Sequence, residues 1–284
     1  MNCFPKISIV TPSYNQSAYL EEALLSVKNQ DYPRFEHLVV DGASSDGSVE
    51  ILEKFSGQPG WDHLHWVSER DDGQSDALNK GFQMAKGDIV GWLNSDDRYR
   101  PGCFQLISDS FRAYPSADMI YGDYTWIDER GRVTCIRREI EFSNFILAYH
   151  RILYIPTTST FFRRRIFDEG NAIDTQLHYS MDYDFFLRLA HRGYRFQHIS
   201  QLLADFRWHQ NSKSGSQSEK QLAEHDRIAV SNSRILRSLP EGKRRKIALF
   251  TLRKLAASLR YAQKFARGYY REQHVPFAND TEKA

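Results

Sequence analysis

The chain has 284 residues, 41% hydrophobic and 13% aromatic. That suffices for one large α/β domain, or a domain with an appendage, and for a sizeable core. A net charge of +2 excludes a chain-wide polycation. Three cysteines, Cys3, Cys103 and Cys135, stand far apart without CxxC spacing. They suggest neither a disulfide framework nor a zinc site, and they suit a reducing cytosol. No apolar run is long enough to cross a bilayer, and the N-terminus leads straight into a strand, so no signal peptide is expected.

The first hundred residues alternate strand and helix. Ile7–Val10 reads as a strand, followed by a helix over Ala18–Lys28 with Ser17 as its cap. Phe35–Val40 is the second strand, Ser48–Phe55 a helix and His63–Val67 the third strand. Gln74–Lys86 is a helix with Gly87 as its stop, and Ile89–Leu93 is the fourth strand. This order predicts a parallel sheet with right-handed crossovers. From Pro101 to Arg207, helices near Gly102–Ala113 and Met181–Arg192 mix with strands near Met119–Trp126, Ser159–Arg163 and Leu202–Phe206. The polar stretch Asn211–Ser218 reads as a boundary. It divides an α/β domain over 1–214 from a basic helical extension over 215–284.

Three of the strands end in polar clusters: Thr11-Pro12-Ser13-Tyr14-Asn15, Asp41-Gly42-Ala43-Ser44-Ser45-Asp46 and Asn94-Ser95-Asp96-Asp97. In an open parallel sheet such loops gather at one edge and form a crevice. Asp96 and Asp97 follow an apolar strand directly. Two carboxylates there suit a hard divalent cation that shares oxygen ligands with a diphosphate. The alternative is a polar turn closing a strand.

Taken in order, these segments resemble a family 2 glycosyltransferase of the GT-A fold over about residues 7–214. Further landmarks are Ser68-Glu69-Arg70-Asp71-Asp72-Gly73-Gln74-Ser75-Asp76-Ala77-Leu78-Asn79-Lys80-Gly81, Met181-Asp182-Tyr183-Asp184 and Trp208-His209-Gln210. The resemblance implies an inverting transfer from a nucleotide-sugar donor, a UDP-sugar above all. The acceptor would be a hydroxyl of a glycan or lipid-linked glycan in polysaccharide or lipopolysaccharide synthesis. It implies that Thr11, Pro12, Tyr14, Asn15 and Asp41 hold the nucleoside, with Tyr14 against the base. Arg70, Asp71, Asn79 and Lys80 match the family pattern, and Lys80 would offset phosphate charge. Leu78 stands where many relatives have Arg, and Arg70 is the substitute. Asn94 and Asp96 would contact the ribose, and Asp96 and Asp97 would hold Mn²⁺ or Mg²⁺, with Asp97 the main ligand. His209 is the additional metal or diphosphate ligand. Asp182 is the general base at a helix N-terminus and Asp184 its rival. Met181 replaces the Glu of the family's acid pair.

Between Arg234 and Arg271 there are twelve Lys and Arg against one acid, Glu241. Leu252, Leu255, Leu259, Ala262, Ala266 and Tyr269 recur there at helical spacing. Two readings stay open: a basic amphipathic helix on an anionic membrane, or an apolar stripe packed on the domain or on a second subunit. Nucleic acid is not an expected partner, since no binding motif accompanies the charge. The competing functions are a sugar nucleotidyltransferase, whose Gly/Arg/Lys-rich triphosphate loop is missing, and a catalytically weak nucleotide-sugar-binding scaffold.

Overall fold

The computed structural model describes residues 4–150, 152–209 and 218–269. Residues 210–217 of the expected boundary, Cys3 and Arg271 lie outside the described residues. The first half forms β1 (Ile7–Ser13), α1 (Ser17–Lys28), β2 (Phe35–Asp41), α2 (Ser48–Ser56), β3 (Leu64–Ser68), α3 (Gln74–Met84) and β4 (Ile89–Trp92). These four strands are parallel in the order β3-β2-β1-β4. β1 and β2 are buried on both faces, as expected of strands covered by crossover helices. Ser13 stands opposite Asp41, and Asp41 opposite Ser68. The strands end level, so the loops that follow them share one edge.

The second half extends the same sheet. It comprises β5 (Arg98–Tyr99), α4 (Cys103–Ala113), β6 (Met119–Ile127), β7 (Val133–Arg137) and α5 (Asn144–Tyr149). A 3-10 turn at Thr157–Ser159 leads into β8 (Thr160–Arg163), α6 (Arg165–Asp168), α7 (Met181–His191) and β9 (Phe196–Arg207). β8 is antiparallel to both β4 and β6, β9 runs parallel to β6, and β5 closes the far edge against β9. Phe161 and Phe162 point to opposite faces of β8 and enter separate cores, as strand alternation requires.

Several boundaries differ from expectation. Ser17 begins α1 rather than capping it. The start of α1 is capped from the second loop: Ser17 N donates to Asp46 Oδ2 at 2.8 Å and Gln16 N to Ser48 Oγ at 3.1 Å. α3 stops at Met84, so Gly87 does not end it. A Cβ on Gly87 would meet the Lys6 carbonyl and the Ser8 amide at 2.7 Å, so that glycine allows close strand approach. β9 is twelve residues long, and its pairing with β6 shifts register past Ser200 and Gln201 before resuming at Leu202.

The chain ends, among the described residues, in α8 (Ser218–Asn232), α9 (Arg234–Ser238) and α10 (Lys243–Ala266). α8 packs on α5 and α7, where His225 stacks on Tyr183 at 3.8 Å. α10 packs on α5 through Leu249, Ala256 and Lys264. The expected stripe is not the buried face: Leu255 and Leu259 are exposed, as are Ala262 and Ala266. Ion pairs decide the rotation of the helix. Arg260 and Lys264 both reach buried Glu139, and Arg253 pairs with Asp226. Burial first, and Arg260 nearby, hold the Lys264 amine down to about 8, with Glu139 opposing. The unfolded chain therefore binds more protons than the native one between about pH 8 and the ordinary lysine range, and stability rises with pH there. Relative to Lys264→Met, the parent is expected to gain on the order of 2–3 kcal/mol between about pH 7 and 10.5. Urea unfolding at both pH values checks this, and a parent that loses ground contradicts it.

Candidate active site

The loops at the C-terminal edge of the parallel strands enclose a cavity of about 760 Å³, within the range of small-molecule sites. Pro12, Ser13, Tyr14, Gly42, Ala43, Arg70, Asp71, Asn94 and Asp96 line one side. His178, Tyr179, Met181, Asp182 and Gln221 line the other.

The first two loops are locked together by polar side chains. Asn15 adopts φ +51°. Its amide N–H donates to Ser44 Oγ at 2.8 Å, and its Oδ1 accepts from Ser45 N at 3.0 Å. Asp41 is fully buried and accepts from Ser44 N, Ser44 Oγ and Ser68 Oγ at 2.9, 2.6 and 2.7 Å. These bonds correct two expectations: Asn15 and Asp41 shape the loops, and the cavity wall there is Gly42 and Ala43. Gly42 is required by Asp71, whose Oδ2 would lie 2.9 Å from a Cβ at that position. Thr11 is also corrected. It is buried, and its hydroxyl meets His37 Nε2 at 2.9 Å. Burial, helped by His63, lowers His37 to about 3, so the ring is neutral. Tyr14 remains largely exposed at the cavity mouth.

The third loop divides similarly. Arg70 and Asp71 face the cavity. Asn79 does not: its amide bonds Ile173 O at 2.9 Å and Ile173 N at 2.8 Å, pinning the segment before α7. Lys80 pairs with Glu69 at 2.8 Å and Asp76 at 3.2 Å and is not a cavity residue. Leu78 is core, which accounts for its departure from Arg.

The two carboxylates after β4 are unequal. Asp96 lines the cavity, and His209 Nε2 lies 3.0 Å from its Oδ2. Asp97 is buried. Its Oδ1 accepts Arg207 N at 2.9 Å and its Oδ2 accepts Asn94 Nδ2 at 3.2 Å. Burial first, then the neighbouring Asp96 charge, raise the Asp97 carboxyl well above its ordinary range. Asp97, expected as the main metal ligand, has both its oxygens engaged beneath the cavity floor, and Asp96 is the carboxylate that lines the cavity. Asn94 is likewise committed: its Oδ1 accepts Trp92 Nε1 at 2.9 Å and Gln74 Nε2 at 3.0 Å.

Arg207 carries this floor, and no motif in the sequence singles it out. It is fully buried. Nε donates to the Asp96 carbonyl at 2.8 Å, and Nη1 to the Asp128 and Glu129 carbonyls at 3.1 and 3.2 Å. Nη2 donates to Glu22 Oε2 at 2.6 Å, and the guanidinium lies 4.7 Å from the Tyr19 ring centre.

Across the cavity, Asp182 sits in the first turn of α7 and bonds Tyr183 N at 2.8 Å. Asp184 is half a turn away, outside the cavity, with Arg188 at 2.6 Å. The stretch before α7 is gripped by Glu224 of α8, which accepts His178 N, Tyr179 N and Ser180 N at 3.2, 2.8 and 2.6 Å. Met181, in place of an acid, accepts Ser75 Oγ at 2.8 Å. Gln74, Thr157, Tyr179, Gln221 and Glu224 were not singled out from sequence. Of these, Gln74 and Thr157 lie in segments that match the family pattern.

As for a metal, Asp96 and His209 supply an oxygen and a nitrogen suited to Mn²⁺ or Mg²⁺. Among the described residues no cluster of three or more such side chains occurs.

A family model described as Glycosyl transferase family 2 matches residues 8–170. TuaG of Bacillus subtilis (strain 168), described as a teichuronic acid biosynthesis glycosyltransferase, is 35% identical over 99 residues, 35% of this chain and 39% of TuaG. The chain thus spans well under half of that relative. TarS of S. aureus, solved with UDP-GlcNAc, superposes with a TM-score of 0.63 at 19% identity, over 92% of this chain and 75% of that one. The mannosyltransferase PcManGT of Pyrobaculum calidifontis, solved with GDP-Man and Mn2+, gives 0.63 at 20% identity, over 94% and 76%. The expected GT-A arrangement is the fold found.

Replacing Arg207 with Met is expected to cost about 3–5 kcal/mol, because three backbone carbonyls lose a donor and Glu22 loses one of its two arginine partners. Chemical denaturation checks this, and a loss under about 1 kcal/mol contradicts it.

Proposed function

The chain belongs to glycosyl transferase family 2 and is a glycosyltransferase, and on that premise we propose an inverting, metal-assisted transfer from a UDP-sugar to a hydroxyl of a glycan or lipid-linked glycan. The observation that carries this reading is the placement of Asp182 across one cavity from the Asp96–His209 pair. Asp182 takes the proton of the acceptor hydroxyl as its oxygen attacks the anomeric carbon. The bond from that carbon to the diphosphate breaks on the opposite side. Asp96 and His209 would hold a divalent ion, and such an ion would supply Lewis-acid neutralisation of the diphosphate charge. Tyr14, Pro12, Gly42, Ala43, Arg70 and Asp71 form the nucleotide pocket, with Tyr14 free to lie on the base. His178, Tyr179 and Gln221 form the acceptor side.

A UDP-sugar is favoured because TarS was solved with UDP-GlcNAc; GDP is the comparison, because PcManGT was solved with GDP-Man. The catalytic unit is 1–214, and the helices between Ser218 and Ala266 close its acceptor side through Glu224 and Gln221. Polysaccharide or lipopolysaccharide assembly in the cytoplasm is the proposed setting. Family membership removes the nucleotidyltransferase alternative and leaves the inert scaffold without support.

Calorimetric titration with UDP and with GDP, with and without Mn²⁺, is expected to give metal-dependent binding of UDP. Asp182→Asn is expected to keep that binding and lower transfer by about 10²-fold or more. Unchanged transfer removes Asp182 as the base. Failure of both nucleotides to bind overturns the donor assignment.

A further inference from the structure

α10 is turned inside out relative to a surface helix. Its inward face carries Leu249 and Ala256 but also Arg253, Arg260 and Lys264, which are held by Asp226 and Glu139. Its outward face carries Ile247, Phe250, Tyr261 and Phe265, each more than half exposed. At 100° per residue these four fall within an arc of roughly 60°. Lys243 and Lys254 fall in the same arc and are exposed. Leu255 and Leu259 widen the patch on one flank. A row of large apolar side chains facing water marks a contact surface.

Charge selects the occupant. From Gly242 to Tyr269 the sequence contains no Asp or Glu. The first four residues of α10 are Lys243, Arg244, Arg245 and Lys246. Cations at a helix N-terminus oppose the helix dipole, so they weaken this helix unless an anionic surface lies beside it. A second copy meeting this face about a two-fold axis would set the same lysines against each other. No helix among the described residues is long and apolar enough to cross a membrane. A helix about 36 Å long can instead lie in the interface plane.

We propose that the outward face of α10 docks the enzyme on an anionic lipid surface, with Ile247, Phe250, Tyr261 and Phe265 entering the headgroup boundary and Lys243 and Lys254 meeting lipid phosphates. Docking of this kind is independent of the active-site assignment.

The test is sedimentation of the full chain with vesicles of phosphatidylcholine alone and of phosphatidylcholine mixed with phosphatidylglycerol. Binding is expected only to the mixed vesicles and is weakened by salt. The pair Phe250→Ser with Phe265→Ser, and separately Lys243→Gln with Lys254→Gln, each lower the partition coefficient about tenfold or more. Circular dichroism and UDP binding confirm that the variants are folded, because none of these residues touches the cavity. No binding to mixed vesicles overturns the proposal, as does binding that both pairs leave unchanged. A concentration-dependent dimer abolished by Phe250→Ser with Phe265→Ser, without vesicle binding, assigns the face to a second copy and overturns it too.

Discussion

One buried guanidinium ties the catalytic floor to the rest of the protein. Arg207 ends β9, beyond the sheet strands that carry the first loops, yet it bonds the Asp96 backbone directly. Its own amide bonds the Asp97 carboxylate. The loop after β4 is thereby fixed by the end of the last strand. Glu22 of α1 and the Asp128–Glu129 turn complete the same knot. A buried charge of this kind is tolerable only when it is paired and hydrogen-bonded, and here the acceptors come from three separate segments. The result holds Asp96 at the cavity while Asp97 remains below it. His209 follows Arg207 by two residues, so the knot also presents the second side chain of the pair.

The far wall depends on a different device. α7 brings Asp182 to the cavity, but the stretch leading into it has no capping side chain of its own. Glu224 supplies the acceptor from α8, for three consecutive amides. The C-terminal helices are therefore part of the wall that carries Asp182. Their attachment through Glu139 and Asp226 draws basic side chains inward and leaves aromatic ones outside. Anchoring and surface chemistry in α10 are two consequences of one rotation.

Much of the fold was legible because buried parallel strands leave long apolar runs and their loops leave Gly, Ser and Asp clusters. The cavity-lining residues Tyr14, Arg70, Asp71, Asp96 and Asp182 lie in those clusters or at a helix start. Thr11, Asn79 and Lys80 belong to the same motifs and point elsewhere, because a motif fixes chain position and not side-chain direction. Thr11 turns to His37, Asn79 to the Ile173 backbone, and Lys80 to Glu69 and Asp76. Arg207 and Glu224 were invisible for the opposite reason. Their partners lie more than forty residues away or across the sheet, and nothing local distinguishes them from surface charges. The rotation of α10 was misread because apolar periodicity ignores distant carboxylates such as Glu139.

The central claim is the division of labour between Asp96 and Asp97, and one diffraction experiment addresses it directly. Crystals grown with UDP and Mn²⁺, measured at the manganese absorption edge, locate the ion by its anomalous signal. A peak within ligand distance of an Asp96 carboxylate oxygen and His209 Nε2, with Asp97 still bonded to the Arg207 amide, is the predicted result. A peak ligated by Asp97, with the Arg207 contact broken, contradicts it.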